Sequence, residues 1–111
     1  MKKIIELESI TGIIKELKQN NKSIVLVGGC FDILHKGHIA FLEKAKGYGE
    51  VLIVILESDE TLKHIKGEKR PINNQKKRAE NLAGLKAVSF VLRIPHLSNN
   101  QDYRSFRFVN R

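Results

Sequence analysis

Apolar positions along this chain follow two patterns. Leu7, Ile10, Ile14 and Leu17 recur at three- and four-residue spacing, with Ile13 widening the stripe and Lys15, Glu16 and Lys18 on the other face. This predicts a helix over residues 4–20, ended by Asn20 and Asn21. Ile24-Val25-Leu26-Val27 is instead a short continuous apolar run, largely β-branched, and Gly28-Gly29 stop it. Such a run fits a strand buried on both faces, as in a parallel sheet. A helix is predicted from about His35–His38 to Tyr48, with Phe41, Leu42, Ala45 and Tyr48 as its apolar face and Gly47 and Gly49 closing it. Val51 to Leu56 is a second continuous strand. Ser58 or Asp59 caps a short helix through Thr61 and Leu62. Residues 63–74, KHIKGEKRPINN, read as a basic loop. A further helix follows over residues 75–85, with Ala79, Leu82 and Ala83 inward, and Val88 to Leu92 forms a third strand.

Strands alternating with helices at this spacing make βαβ units, with right-handed crossovers and a parallel sheet. The expected fold class is α/β: a Rossmann-like three-layer α/β/α arrangement on a small parallel sheet, with residues 1–111 as one domain. Ligands of such sheets bind beyond the carboxyl ends of the strands. That sets residues 28–38, 57–63 and 93–96 on one rim.

Composition narrows the class further. With 111 residues the chain can bury a real core but not two. Eight Gly and two Pro exclude collagen-like and fully disordered readings. A single Cys excludes an internal disulfide and the usual thiolate zinc site. No apolar run approaches the roughly 18 residues needed to cross a bilayer. Glu6 and Glu8 interrupt the N-terminal segment before it can form the apolar region of a signal peptide. A soluble, cytoplasmic protein without a membrane partner is the expectation.

The charge is uneven. Residues 1–59 carry 8 basic and 8 acidic side chains, whereas residues 60–111 carry 12 basic and 4 acidic. The whole net charge of +8 therefore lies in the second half. Such asymmetry suits a polyanionic partner: nucleic acid, a nucleoside triphosphate or a sugar phosphate.

The stretch from Gly28 to His38, GGCFDILHKGH, concentrates the candidate chemistry. Paired glycines let the chain turn closely at a strand end. His35 and His38 are three apart, which puts them on one face of a helical turn. At a helix start they meet the positive end of the dipole, where phosphate is attracted. Gly37 between them leaves room for an anion to approach the backbone. Imidazoles there donate hydrogen bonds to a transferring phosphoryl-type group. The string is neither GxxxxGK[ST] nor GxGxxG. The HxxH spacing lacks the Glu of a zincin and a third strong ligand, so no metal site is expected.

GCFDILHKGH resembles the signature of the HxGH cytidylyltransferase-like nucleotidyltransferases. ESDETLKHIKGEKRPINNQKKRAENLAGLKAVSFV resembles its continuation, and the likeness covers residues 22–92. The wording is closest to the members that activate heptose 1-phosphate. The resemblance implies transfer of AMP (or CMP) from ATP (or CTP) to a sugar or polyol phosphate, with release of pyrophosphate. It implies that His35 and His38 bind the triphosphate and stabilise the transition state. Phe31 positions the nucleotide, with Gly29, Cys30 and Gly37 close to it. Asp32 orders the loop or lies near substrate. Either Lys63 or Lys66 meets phosphate oxygens. Arg78 holds nucleotide phosphates or the loop. Mg²⁺ is carried by the triphosphate.

Other readings stand beside these. Cys30 is expected to be a small space-filler, since no partner for a thiolate nucleophile is specified. His96 falls on the predicted rim without a role. Family members normally continue after the third strand with further strand and helix units and a late phosphate-closing motif. The 19 residues after Leu92 do not supply these, so the chain is expected to lack the usual C-terminal units. A three-stranded sheet needs edge cover, from homodimerisation or from a short strand containing Phe106 and Phe108. The competing functions are a catalytically inactive nucleotide-binding protein and a basic nucleic-acid-binding module. Against the latter, aromatic residues are only 6%, which leaves few stacking platforms.

Overall fold

The computed structural model describes residues 2–95. In chain order the elements are β1 (Ile4–Glu6), α1 (Leu7–Gln19), β2 (Ile24–Gly29), α2 (Lys36–Lys46), β3 (Val51–Leu56), α3 (Asp59–Lys66), α4 (Gln75–Ala83) and β4 (Phe90–Arg93). The strands form one parallel sheet in the order β1-β4-β3-β2. The sheet therefore has four strands, one more than the apolar runs predict. The extra strand comes from residues assigned to the start of the first helix. Ile4 and Ile5 pair with Val91 and Leu92, and Val91 N donates to Lys3 O at 2.8 Å. Lys3 Nζ also donates to the carbonyls of Ala83 and Leu85 at 2.8 and 3.1 Å, fastening the strand to the end of α4. A cation is favourable at that negative end of the helix dipole.

Strand order explains the layers. From β2 through β3 to β4 the chain advances across the sheet in one direction, so the connecting helices share a face. From β1 to β2 it returns across the full width, which sends α1 to the opposite face. The packing agrees. Leu42 and Ala45 of α2 and Ala79 and Leu82 of α4 are buried against Val25, Val27, Leu52, Val54 and Val91. Ile10, Ile13, Ile14 and Leu17 of α1 pack on Ile24, Ile53, Ile55, Phe90 and Leu92. Every residue of β3 is buried, as expected for a central strand covered on both faces.

α3 runs to Lys66, beyond the short helix predicted. Ser58 Oγ caps it, accepting from Thr61 N at 3.1 Å, and Gly67 at φ 109° ends it in a conformation that suits glycine. Lys63 and Lys66 are thus helical rather than in the loop. Asn74 caps α4 in the same way, accepting from Lys77 N at 2.8 Å. No helix among the described residues is long and apolar enough to cross a membrane. His96, Phe106 and Phe108 lie outside the described residues.

Candidate functional site

The site is built where β2 ends. The chain turns through Phe31, which sits in the left-handed region at φ 47°. This conformation is uncommon for a bulky residue and is held by its surroundings. It drops the Phe31 ring into the core, 7% exposed. A Cβ on Gly29 would lie 2.8 Å from Phe31 Cε2, so glycine is needed for the ring to pass. The Phe31 ring meets His38 edge to face, with centroids 5.5 Å apart. It supports the second histidine and has little surface left for a nucleotide.

His35 is the N-cap of α2, and its Nδ1 accepts from Gly37 N at 3.0 Å. An accepting Nδ1 assigns the neutral imidazole proton to Nε2, which makes Nε2–H the donor at the outer edge of the ring. The His35 ring stacks on His38 with centroids 3.9 Å apart and planes 28° from parallel. Sequence spacing puts open room at Gly37, but the structure fills it. A Cβ there would meet His35 Cε1 at 2.9 Å. The glycine serves the approach of the first imidazole to the backbone.

His38 is half-buried, and its Nδ1 meets no partner at hydrogen-bonding geometry. Its pKa is pushed below the ordinary histidine value, first by burial, then by the neighbouring His35 and by Lys66; the Ile33 backbone partly opposes this. Burial also raises the Cys30 thiol, reinforced by Glu57 and Asp32 and opposed by Lys66 and Arg78. Such a thiol is a poor nucleophile. Of the two candidate lysines, Lys66 is the one whose charge contributes to the pKa values of both His38 and Cys30.

Three polar side chains hold the frame. Asp32, 4% exposed, accepts from Arg70 Nε at 2.6 Å and from the backbone N–H groups of Ile72 and Asn73, each at 2.8 Å. Burial raises its pKa, but these donors outweigh burial, and the carboxyl stays below its usual range. Arg78 is fully buried and spends its donors on protein. Nε reaches Asn73 O at 2.9 Å, Nη1 reaches Cys30 O at 2.8 Å, and Nη2 reaches Asp59 Oδ1 at 2.7 Å. Of the two roles considered for it, Arg78 is placed to hold the loop. Gln75 Nε2 donates to the carbonyls of Leu56, Glu57 and Ile94, and its Oε1 accepts from Arg93 Nε. The sequence places Asp59 and Arg93 on the predicted rim, but nothing in it marks them or Gln75 as anchors of these loops. Arg70 stands out there only as part of a basic loop.

Among the described residues no group of three or more His, Cys, Asp or Glu side chains is arranged to hold a metal ion. Asp32 and Asp59 are already engaged by arginines.

A parallel α/β sheet with a histidine pair at a helix start, on the carboxyl rim of the strands, defines a nucleotidyltransferase-like domain. A family model described as cytidylyltransferase-like matches residues 26–105, and the chain belongs to that family. Relatives include the bifunctional protein HldE of Geobacter metallireducens, 46% identical over 90 residues, which are 81% of this chain and 18% of that protein. The HldE of Campylobacter jejuni is 57% identical over 76 residues, covering 68% of this chain and 16% of the relative. The chain thus spans about a sixth of the length of these curated relatives. Among solved structures, a lipopolysaccharide core biosynthesis protein from Thermoplasma volcanium superposes with a TM-score of 0.62 at 29% identity, covering 76% of this chain and 64% of that one.

Proposed function

We propose that this domain transfers AMP from ATP to a sugar phosphate of the heptose 1-phosphate kind and releases pyrophosphate. An oxygen of the acceptor phosphate attacks the α-phosphorus of ATP. The bond from that phosphorus to the bridging oxygen breaks, and pyrophosphate leaves with its electron pair. No covalent enzyme intermediate is formed. His35 Nε2–H and the His38 imidazole supply donors to the oxygens on which charge grows, beside the positive end of the α2 dipole. Lys66 adds positive charge on the same side. Mg²⁺, carried in by the triphosphate rather than held by a set of protein ligands, would neutralise part of its charge. Asp32 and Arg78 act through the loops they fix.

The observation that carries this reading is the stacked His35–His38 pair at the start of α2, with His35 locked by its bond from Gly37. The choice of acceptor is supported by the similarity to the HldE proteins and by the likeness to the lipopolysaccharide core biosynthesis protein of Thermoplasma volcanium.

The test is pyrophosphate release, with ATP and with CTP, against heptose 1-phosphate, other sugar phosphates and glycerol 3-phosphate. ATP with heptose 1-phosphate is expected to turn over fastest. His35→Ala and His38→Ala are each expected to lower turnover about 100-fold or more. Undiminished turnover in both variants refutes the assignment. Nucleotide binding with no turnover on any acceptor refutes transfer and leaves a nucleotide-binding domain.

A further inference from the structure

Strand register lays a row of residues across the carboxyl rim. Gly29 of β2 is opposite Leu56 of β3, Leu56 is opposite Arg93 of β4, and Arg93 is opposite Glu6 of β1. At roughly 4.8 Å per strand, Arg93 lies about 10 Å from the end of β2, and Glu6 about 14 Å. Beside the far end of this row is a half-open cleft of about 420 Å³. Glu6, Glu8, Gln75 and Arg93 line it, with Leu7 and Ile94 as apolar wall. Its size falls in the range of about 300–1,000 Å³ typical of small-molecule sites.

We infer that this cleft between β1 and β4 holds the hydroxyl-bearing body of the acceptor sugar phosphate. The inference rests on the proposed transfer and adds a second subsite to it. The cleft's chemistry is unlike that of the histidine site. Two carboxylates repel a polyphosphate but accept strong hydrogen bonds from sugar hydroxyls. They orient an acceptor with its uncharged end at β1 and its phosphate directed along the row toward His35 and His38. Arg93 is held in place from two sides. Its Nε donates to Gln75 Oε1 at 3.2 Å, and its Nη1 lies 3.6 Å from Glu6 Oε2. Gln75 is itself fixed by three carbonyls at the strand ends. The leucine and isoleucine walls suit the carbon face of a sugar ring.

Isothermal titration of the full chain, with Mg²⁺ and a non-hydrolysable ATP analogue present, tests the assignment. The probes are heptose 1-phosphate, glycerol 3-phosphate and inorganic phosphate. Heptose 1-phosphate is expected to bind at least about tenfold more tightly than either smaller probe, because only it reaches the cleft. Glu6→Gln and Arg93→Gln are each expected to weaken heptose 1-phosphate about tenfold. Binding of the ATP analogue and of inorganic phosphate should stay unchanged. Should Arg93→Gln impair folding, the double variant Glu6→Gln/Glu8→Gln decides, since both carboxylates are exposed. Equal binding of heptose 1-phosphate and glycerol 3-phosphate, or undiminished heptose 1-phosphate binding in the variants, overturns the inference while leaving the nucleotide site intact. Failure of the ATP analogue itself to bind overturns the proposed function and this inference together.

Discussion

His35 and His38 lie ring on ring, 3.9 Å between centroids, with the first imidazole pinned by the Gly37 N–H and the second backed by Phe31. Two stacked imidazoles cannot both accept a proton cheaply, because like charges at this distance repel. Burial adds to the penalty at His38, whose pKa is below 6.5. His38 is therefore expected to be neutral near neutral pH.

A histidine NMR titration checks this. His38 is expected to titrate with a midpoint below 6.5, moving up in His35→Asn and on addition of a triphosphate. A depressed folded pKa means that the unfolded chain takes up the proton first, so this contribution is lost as pH falls through 6.5 toward the folded value. A midpoint at or above 6.5 in the free protein would contradict the electrostatic picture.

Gly37→Ala tests the cap. The new Cβ would sit 2.9 Å from His35 Cε1 and force the ring off its bond. Alanine is a better helix former than glycine by about 1 kcal/mol, so stability should hardly change. Turnover is expected to fall about 100-fold, the usual result of misplacing a reacting group by an ångström. An active Gly37→Ala protein would show that the His35 geometry is dispensable.

Arg78→Met removes a buried guanidinium that joins Cys30, Asn73 and Asp59. The Cys30 and Asn73 carbonyls then lose donors, and Asp59 loses its ion-pair partner. A loss of about 3–5 kcal/mol is expected in denaturant unfolding. Hydrogen exchange should quicken in residues 29–32 and 70–74 ahead of the sheet. Uniform exchange with no stability loss would mean that the loops stand without it.

Asp32→Asn should cost about 2–3 kcal/mol at neutral pH, since a charged acceptor of three donors becomes a neutral one. Because the Asp32 pKa is lowered on folding, its contribution is full above the ordinary carboxyl range and fades as pH falls through the folded value. The stability gap between wild type and variant should close only below about pH 4. A gap already absent at pH 7 would exclude the anchoring role.

Strands β2, β3 and β4 were legible because short, largely apolar runs mark them, even though β2 lies at an edge of the sheet. The His35–His38 pair was legible from its three-residue spacing together with the paired glycines and strand end of the Gly28–His38 stretch. β1 was not, since three residues hold less than two full alternations and the stripe of α1 absorbs them. The extent of α3 was hidden because only Leu62 is buried, leaving no period to count. The loop anchors were hidden by distance along the chain. Asp32 finds Arg70 38 residues away, and Arg78 finds Cys30 48 residues away. No local pattern encodes such pairs.

The strand order also has a temporal meaning. β1 is synthesised first yet hydrogen-bonds only to β4, the last strand of the described fold. Residues 4–6 therefore wait while β2, β3 and β4 assemble, and they bridge the longest gap in the sheet, where closure is slowest. In pulse-labelled refolding the amides of β1 should be the last of the sheet to gain protection. Glu6 would then reach its place beside Arg93 only after the histidine pair is already set at the end of β2.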